Sequence, residues 1–218
     1  MLRARFRFGR RYPHDITDPR PVPAVAVTDP AWLADALAAT AGRFRLTRPA
    51  TTGVLWWYSA SSVLLGPVAE SYVEGGPVAD PALTAMTLLV HRDGRVLDAR
   101  SSGEVPCADA AARVAALVET CVPAVAAASG AAERALWAIA TDSLANRVLW
   151  AGGGAAHAEA LAGDGRFPVP RYVEVGGQQV VRRASCCLVY EAPGQQKCVS
   201  CPRQDPDDRS RRLRTALG

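Results

Sequence analysis

The chain has 218 residues, 49% hydrophobic and 21% charged, with a formal net charge of +4. That excludes wholesale disorder and a disulfide-stapled miniprotein, and at roughly 150 residues per domain it predicts one large domain or one and a half. No run reaches the ~18 uninterrupted apolar residues of a membrane span; the nearest, 53–69, is broken by Tyr58, Ser59, Ser61, Ser62 and Gly66-Pro67.

The positive charge sits at the two ends. Arg3, Arg5, Arg7, Arg10 and Arg11 meet no acid, and residues 203–218 carry five Arg against three Asp. The early arginines leave no room for the apolar core of a secretory leader, so a cytoplasmic location is expected. Basic ends read first as solvated termini. An acidic partner or a peripheral contact with a membrane surface are the alternatives, and no nucleic acid is expected.

Residues 1–20, with Pro13 and Pro19, read as a flexible basic arm. Pro23 to Val27 alternates as a short strand would. Asp29-Pro30 then supplies a helix cap and a proline at the first helical position. The helix is expected to run to about Ala41 and stop at Gly42, burying Trp32, Leu33, Ala36 and Leu37. Thr51 or Thr52 is the expected cap of a second helix through Trp56, Trp57 and Tyr58. Gly66-Pro67 should kink or split it, and Gly75-Gly76-Pro77 should end it. Thr87–Val90, Asp93-Gly94 and Arg95–Asp98 spell a β-hairpin.

Residues 107–128 form an alanine-rich helical pattern that Pro123 can bend and Ser129-Gly130 ends. From Ala131 to Trp150 runs the clearest amphipathic pattern, with Trp137, Ala140, Leu144 and Val148 on one stripe. Gly152-Gly153-Gly154 closes it. That triplet follows a helix rather than a strand, which removes the context of a nucleotide-binding loop. A short helix over Ala155–Leu161 is followed by a second hairpin, Tyr172–Val175 and Gln179–Val181, around Gly176-Gly177.

Six cysteines are the informative count. Cys107 and Cys121 lie on the alanine-rich stretch and read as small buried apolar residues. Cys186, Cys187, Cys198 and Cys201 fall within sixteen residues. In a cytosolic chain, clustered cysteine points to metal or redox chemistry before disulfides. The Cys198-Val199-Ser200-Cys201 pair makes a knuckle, and Glu191-Ala192-Pro193-Gly194 is a turn that folds the chain back on Cys186-Cys187. Arg182, Arg183 and Lys197 would partly offset the thiolate charge. Adjacent cysteines suit one tetrahedral zinc poorly, because neighbouring strand side chains point to opposite faces. A binuclear iron–sulfur core tolerates more divergent sulfurs, but neither common ferredoxin spacing matches, and His14, His91 and His157 are remote from the cysteines, unlike a Rieske centre. On spacing alone, iron–sulfur leads and zinc, reactive thiols and a disulfide stay open.

The run Arg183-Ala184-Ser185-Cys186-Cys187-Leu188-Val189-Tyr190, then Pro193-Gly194, then Cys198-Val199-Ser200-Cys201-Pro202 resembles the C-terminal signature of the FhuF-type ferric siderophore reductases. More weakly, Leu136-Trp137 and Leu144-Ala145-Asn146 resemble that family's Trp-containing helix. Gln195-Gln196-Lys197 and Val199 replace glycines usual in the family and leave the four cysteines intact. The resemblance implies a [2Fe-2S] cluster on Cys186, Cys187, Cys198 and Cys201. It also implies one-electron reduction of a ferric siderophore, of hydroxamate type, with release of ferrous iron. No flavin or nicotinamide motif is visible, so the electron should come from an external reductase, flavoprotein or ferredoxin. The alternatives are an iron–sulfur electron carrier or redox sensor without siderophore activity, and a structural zinc module.

The fold class expected is α+β, predominantly helical with small β-hairpins and a C-terminal iron–sulfur segment. Its parts are a basic arm over 1–20, a mainly helical domain over 21–180, the cysteine segment over 181–203 and a basic tail over 204–218. Arg182 and Arg183 should face opposite ways, one toward the cysteines. Core packing is expected of Trp137, Trp150 and most of Trp56-Trp57-Tyr58, exposure of His91, and no catalytic role for Asp142.

Overall fold

The computed structural model describes residues 19–163 and 165–217; the N-terminal arm of the sequence reading lies almost wholly outside them. Helix α1 (Pro30–Phe44) begins as its sequence dictates, with the Asp29 carboxylate accepting the Trp32 amide at 2.7 Å and Pro30 in the first turn. It does not stop at Gly42. That glycine is exposed and uncrowded, and the helix runs on until Arg45 takes the left-handed conformation at φ 52°.

Helix α2 (Pro49–Leu64) starts earlier than expected. Pro49 presets the first turn, and Thr51 and Thr52 are buried inside the helix rather than capping it. Gly66-Pro67 does split the run: α2 ends, and α3 (Gly66–Glu74) restarts and stops at left-handed Gly75.

The strands are β1 (Arg20–Pro23), β2 (Val78–Ala79), β3 (Met86–Val90), β4 (Val96–Ser101) and β5 (Glu104–Val105). One antiparallel sheet has the order β1-β3-β4, and β2 pairs with β5. The Asp93-Gly94 hairpin is present between β3 and β4. The strand expected over 23–27 lies upstream instead, at β1. Ala24–Thr28 forms a 3₁₀ turn that buries Ala24 and Val27, three apart, and exposes Val25. A three-residue period, not a two-residue pleat, governs that apolar pattern.

Three helices complete the core: α4 (Ala110–Ser129), α5 (Glu133–Trp150) and α6 (Ala155–Ala162). Residues Cys107–Ser129 are long and apolar enough to cross a membrane by composition alone. Here they bury Val114, Leu117, Val118, Cys121, Val122 and Val125 at three- and four-residue spacing, and Arg113 and Glu119 lie on the exposed side. Gly53 lets α2 lie on the end of α4: a Cβ there would stand 2.1 Å from Ser129 Oγ.

Helix α5 is not the one-sided amphipathic helix its sequence suggests. It is buried nearly all round, including Thr141, Asp142 and Ser143, because α2, α3, α4, α6 and the C-terminal segment all pack on it. Its polar groups find partners: Ser61 and Ser143 hydroxyls meet at 2.8 Å, and Trp57 Nε1 donates to the Leu136 carbonyl at 2.9 Å. Trp150, expected in the core, is 55% exposed beneath Arg147. His91, expected outside, is buried, with Nδ1 2.8 Å from Asp93 Oδ1.

Beyond α6 the chain forms the second hairpin, β6 (Tyr172–Val175) and β7 (Gln178–Val181). The Tyr172 hydroxyl donates to the Ala145 carbonyl at 3.0 Å, which pins the hairpin to α5. The basic tail is helical over α7 (Pro206–Leu217). The fold is α+β and predominantly helical, with three small antiparallel sheets among the described residues.

Candidate metal centre

Between β7 and α7 the chain has little regular structure, so its shape depends on what ties it down. The first tie is Asp142, in the middle of α5. Its carboxylate accepts the Ala184 amide at 3.0 Å, the Ser185 amide at 2.9 Å and the Ser185 hydroxyl at 2.5 Å. Its Oδ2 also stands 3.6 Å from Arg183 Nε. One buried carboxylate thus fixes the three residues that lead into Cys186.

The second tie is Glu191. Its carboxylate accepts the Thr51 hydroxyl at 2.6 Å in the first turn of α2, with Arg48 Nη1 at 3.4 Å. A carboxylate at a helix N-terminus also meets the positive end of the helix dipole. The third tie is Gln204, whose amide nitrogen donates to the Cys198 and Val199 carbonyls at 2.7 and 2.9 Å. Arg212 of α7 in turn donates to the Gln204 side-chain oxygen. Leu188 completes the loop in the left-handed region at φ 59°, which costs a non-glycine residue about 1–2 kcal/mol. In return its amide faces Cys186 Sγ at 3.5 Å.

These ties bring all four clustered cysteines together, in two pairs. Cys186 Sγ and Cys201 Sγ are 3.5 Å apart. Cys187 and Cys198 lie side by side and shift each other's thiol pKa. In each pair one member is buried (Cys201, Cys187) and the other is partly exposed (Cys186, Cys198). Among the described residues no group of three or more His, Cys, Asp or Glu closes on one point as a single-ion site would require. Two sulfur pairs are the donor arrangement that two tetrahedral metal ions sharing bridging ligands need, so these residues fit a binuclear cluster better than a lone zinc.

The electrostatics of the thiols are unequal. Cys198 beside it pulls the Cys187 thiol down to about 6 against the opposing effect of burial, with help from the Val189 amide and Arg183. Cys198, which lies against Cys187 and is half-buried, is pushed up. Burial, with Cys201 beside it, raises Cys186 to about 11.

Arg183 lies behind the cysteines and is 7% exposed, while Arg182 faces solvent, as strand alternation predicts. Its Nη1 is 3.6 Å from Cys198 Sγ, and its guanidinium lies 4.7 Å from the centroid of the half-exposed Tyr58 ring. Its Nη2 and Nε have no hydrogen-bond partner, although Nε faces Asp142. Burial raises the Tyr58 hydroxyl's pKa against the opposing pull of Arg183. Trp56 and Trp57 are buried in the core, leaving Tyr58 as the member of that trio at this surface.

The other two cysteines lie elsewhere. Cys121 is buried as expected, and burial lifts its thiol to about 12. Cys107 is not buried: it sits exposed in the 3₁₀ turn before α4, outside the helix that would have covered it. Asp142 accepts hydrogen bonds, as a mid-helix carboxylate can, but its role in tying down the cysteine segment, like that of Glu191, was not foreseen from the sequence. The available signal for Asp142 was a carboxylate flanked by Ile139, Ala140, Leu144 and Ala145, where a solvated charge has no place.

Residues 183–203 match the family model described as the FhuF 2Fe-2S C-terminal domain. The match runs from Arg183 to Arg203 and contains all four paired cysteines. It supports kinship with FhuF-type proteins over this segment and points to an iron–sulfur cluster. No curated protein and no solved structure matches the chain significantly.

Proposed function

We propose that this protein is a cytoplasmic ferric siderophore reductase that carries a [2Fe-2S] cluster on Cys186, Cys187, Cys198 and Cys201. The observation that carries this reading is the pairing of those four sulfurs inside the segment that matches the FhuF 2Fe-2S model. When bound, the cluster supplies a store for one electron at a potential set by charge, hydrogen bonds to sulfur and exposure.

The chain's own residues supply the rest. Asp142 and Glu191 hold the cysteine loop against α5 and α2, so the ligand geometry is preset rather than assembled on binding. Arg183 keeps one buried positive charge beside the thiolates. Cys186 and Cys198, partly exposed, leave the site within reach of a bulky chelate. One electron passes from an external donor, through the protein, to the chelated ferric ion. Hard oxygen ligands hold ferrous iron far less tightly than ferric, so the metal leaves and no acid–base group is needed. Ferric hydroxamate is the substrate class proposed, and a reduced flavoprotein, ferredoxin or separate reductase is the donor class.

The test is anaerobic. The dithionite-reduced protein, freed of excess reductant, is mixed with a ferric hydroxamate and a ferrous trap. Return of the oxidised spectrum together with one trapped ferrous ion per reduced protein supports the reading. A coloured protein that ignores the chelate is an electron carrier or sensor instead.

A further inference from the structure

We infer that Cys186 and Cys201 hold one iron of the cluster, that Cys187 and Cys198 hold the other, and that the electron accepted on reduction resides on the Cys187–Cys198 iron beside Arg183. This rests on the [2Fe-2S] reading above. Sequence order does not dictate this arrangement. Adjacent Cys186 and Cys187 suit one tetrahedral metal poorly, so each should pair with a cysteine of the Cys198–Cys201 knuckle, and the spacing does not say which. The fold decides the crossing.

Two sulfurs on one tetrahedral metal lie about 3.8 Å apart, from a metal–sulfur bond of ~2.3 Å. Cys186 Sγ and Cys201 Sγ are already at 3.5 Å. Cys187 lies against Cys198, with the Arg183 guanidinium beside both. The backbone explains the crossing. Left-handed Leu188 turns the chain sharply after Cys187 and aims its own amide back at Cys186. Gln204 clamps the Cys198 and Val199 carbonyls, and the tight Cys198–Cys201 turn closes with the Cys201 amide on the Cys198 carbonyl at 3.0 Å.

The charges around the two pairs differ. Arg183 is buried, and its Nη1 reaches Cys198 Sγ at 3.6 Å. Its counter-ion, Asp142, faces the opposite edge of the guanidinium, at Nε, and is itself engaged by Ser185 and Ala184. On the Cys186 side the cation is Arg203, which is exposed and donates to the Tyr190 hydroxyl at 2.8 Å; Lys197, also exposed, is turned onto the Arg203 carbonyl. Buried charge is screened far less than exposed charge, so the added electron is stabilised most at the iron nearest Arg183.

The experiment uses the iron-loaded full chain, reduced by one electron with dithionite and read by Mössbauer spectroscopy. Cys187→Ser and Cys198→Ser should each alter the ferrous signal, while Cys186→Ser and Cys201→Ser should each alter the ferric signal. A grouping of Cys186 with Cys187, or a ferrous signal that moves with Cys186→Ser or Cys201→Ser, overturns the inference. Arg183→Gln tests the location of the electron without touching a ligand. It should lower the reduction potential by at least a tenfold change in the equilibrium, 59 mV for one electron, and Arg183→Lys should restore part of it. No shift, or an equal shift in both variants, overturns it.

Should the serine variants lose iron, the cluster-free full chain is oxidised with diamide, which takes up the two hydrogens as each disulfide forms. Peptide mapping should give Cys186–Cys201 and Cys187–Cys198, and a Cys198–Cys201 or Cys186–Cys187 link overturns the pairing. An iron–sulfur protein that passes these tests but ignores ferric chelates sinks the reductase reading alone. A chain that forms no iron–sulfur chromophore sinks both.

Discussion

Replacing Asp142 should unfasten the cysteine segment. In Asp142→Ala, the Arg183 guanidinium loses its buried counter-ion, a kind of loss that costs about 3–5 kcal/mol. The Ala184 and Ser185 amides also lose their acceptor, at about 1–3 kcal/mol for each buried donor left unmade. These terms overlap, and about 5 kcal/mol is the expected total, comparable to the whole stability of a marginal domain. Asp142→Asn is the cleaner perturbation. Its amide keeps one acceptor oxygen of similar shape, so about 1.5–3 kcal/mol should be lost, the range for hydrogen bonds to a charged group. Two measurements separate the effect. Urea unfolding of the cluster-free protein reads global stability, and the rate at which a ferrous chelator strips iron from the reduced holoprotein reads the local tie. Because Asp142 fixes the stretch leading into Cys186 through two backbone amides, iron loss should accelerate at least tenfold in Asp142→Asn. A stability change below about 0.5 kcal/mol together with unaltered iron release would refute the reasoning, since that is the scale of surface substitutions.

Other predictions address separate parts of the fold. Serine at Cys186, Cys187, Cys198 or Cys201 should abolish or strongly alter the visible spectrum, whereas Cys107→Ser and Cys121→Ser should leave it intact. In the native protein, alkylation should label Cys107 rapidly and Cys121 only after unfolding, as mass spectrometry would show. The sign for Cys121 follows from its raised pKa. Its contribution to stability is full below its ordinary value of 9.0 and is lost as pH rises toward about 12, because the unfolded thiol ionises first. Cys121→Ala should therefore flatten the alkaline limb of the stability profile, measured by urea titration between those values. Gly53→Ala should destabilise by about 1–3 kcal/mol, because its Cβ would meet Ser129 Oγ at 2.1 Å. Adding Ser129→Gly, which removes both the Oγ and the Cβ that would stand at 2.4 Å, should relieve part of that loss in thermal melts.

What the sequence disclosed and what it hid follow from where the information resides. Local signals held up. The Asp29-Pro30 cap, the Gly66-Pro67 split, the Asp93-Gly94 and Gly176-Gly177 hairpins and the stop at Gly130 depend on backbone chemistry within a few residues. Periodicity misled where burial comes from several directions. Helix α5 carries a one-sided stripe, yet the fold surrounds it, so Asp142 is buried and Trp150 at its end is not. His91 reads as a loop residue beside a turn, and only the packing of the hairpin on its surroundings buries it. The cysteines were legible as a set because their spacing is confined to sixteen residues. Their pairing was not, because it is decided by Leu188 taking a left-handed conformation and by ties from Asp142 and Glu191, which lie 43 and 140 residues from their partners. No short-range pattern encodes such distances.

The central claim is tested most directly by an anaerobic visible spectrum of the purified protein, followed by titration of the reduced form with a ferric hydroxamate in the presence of a ferrous trap. The account predicts a red-brown protein that bleaches on reduction and regains its colour as ferrous iron is trapped. A colourless protein that contains zinc would contradict it, and so would a coloured one that the chelate does not reoxidise.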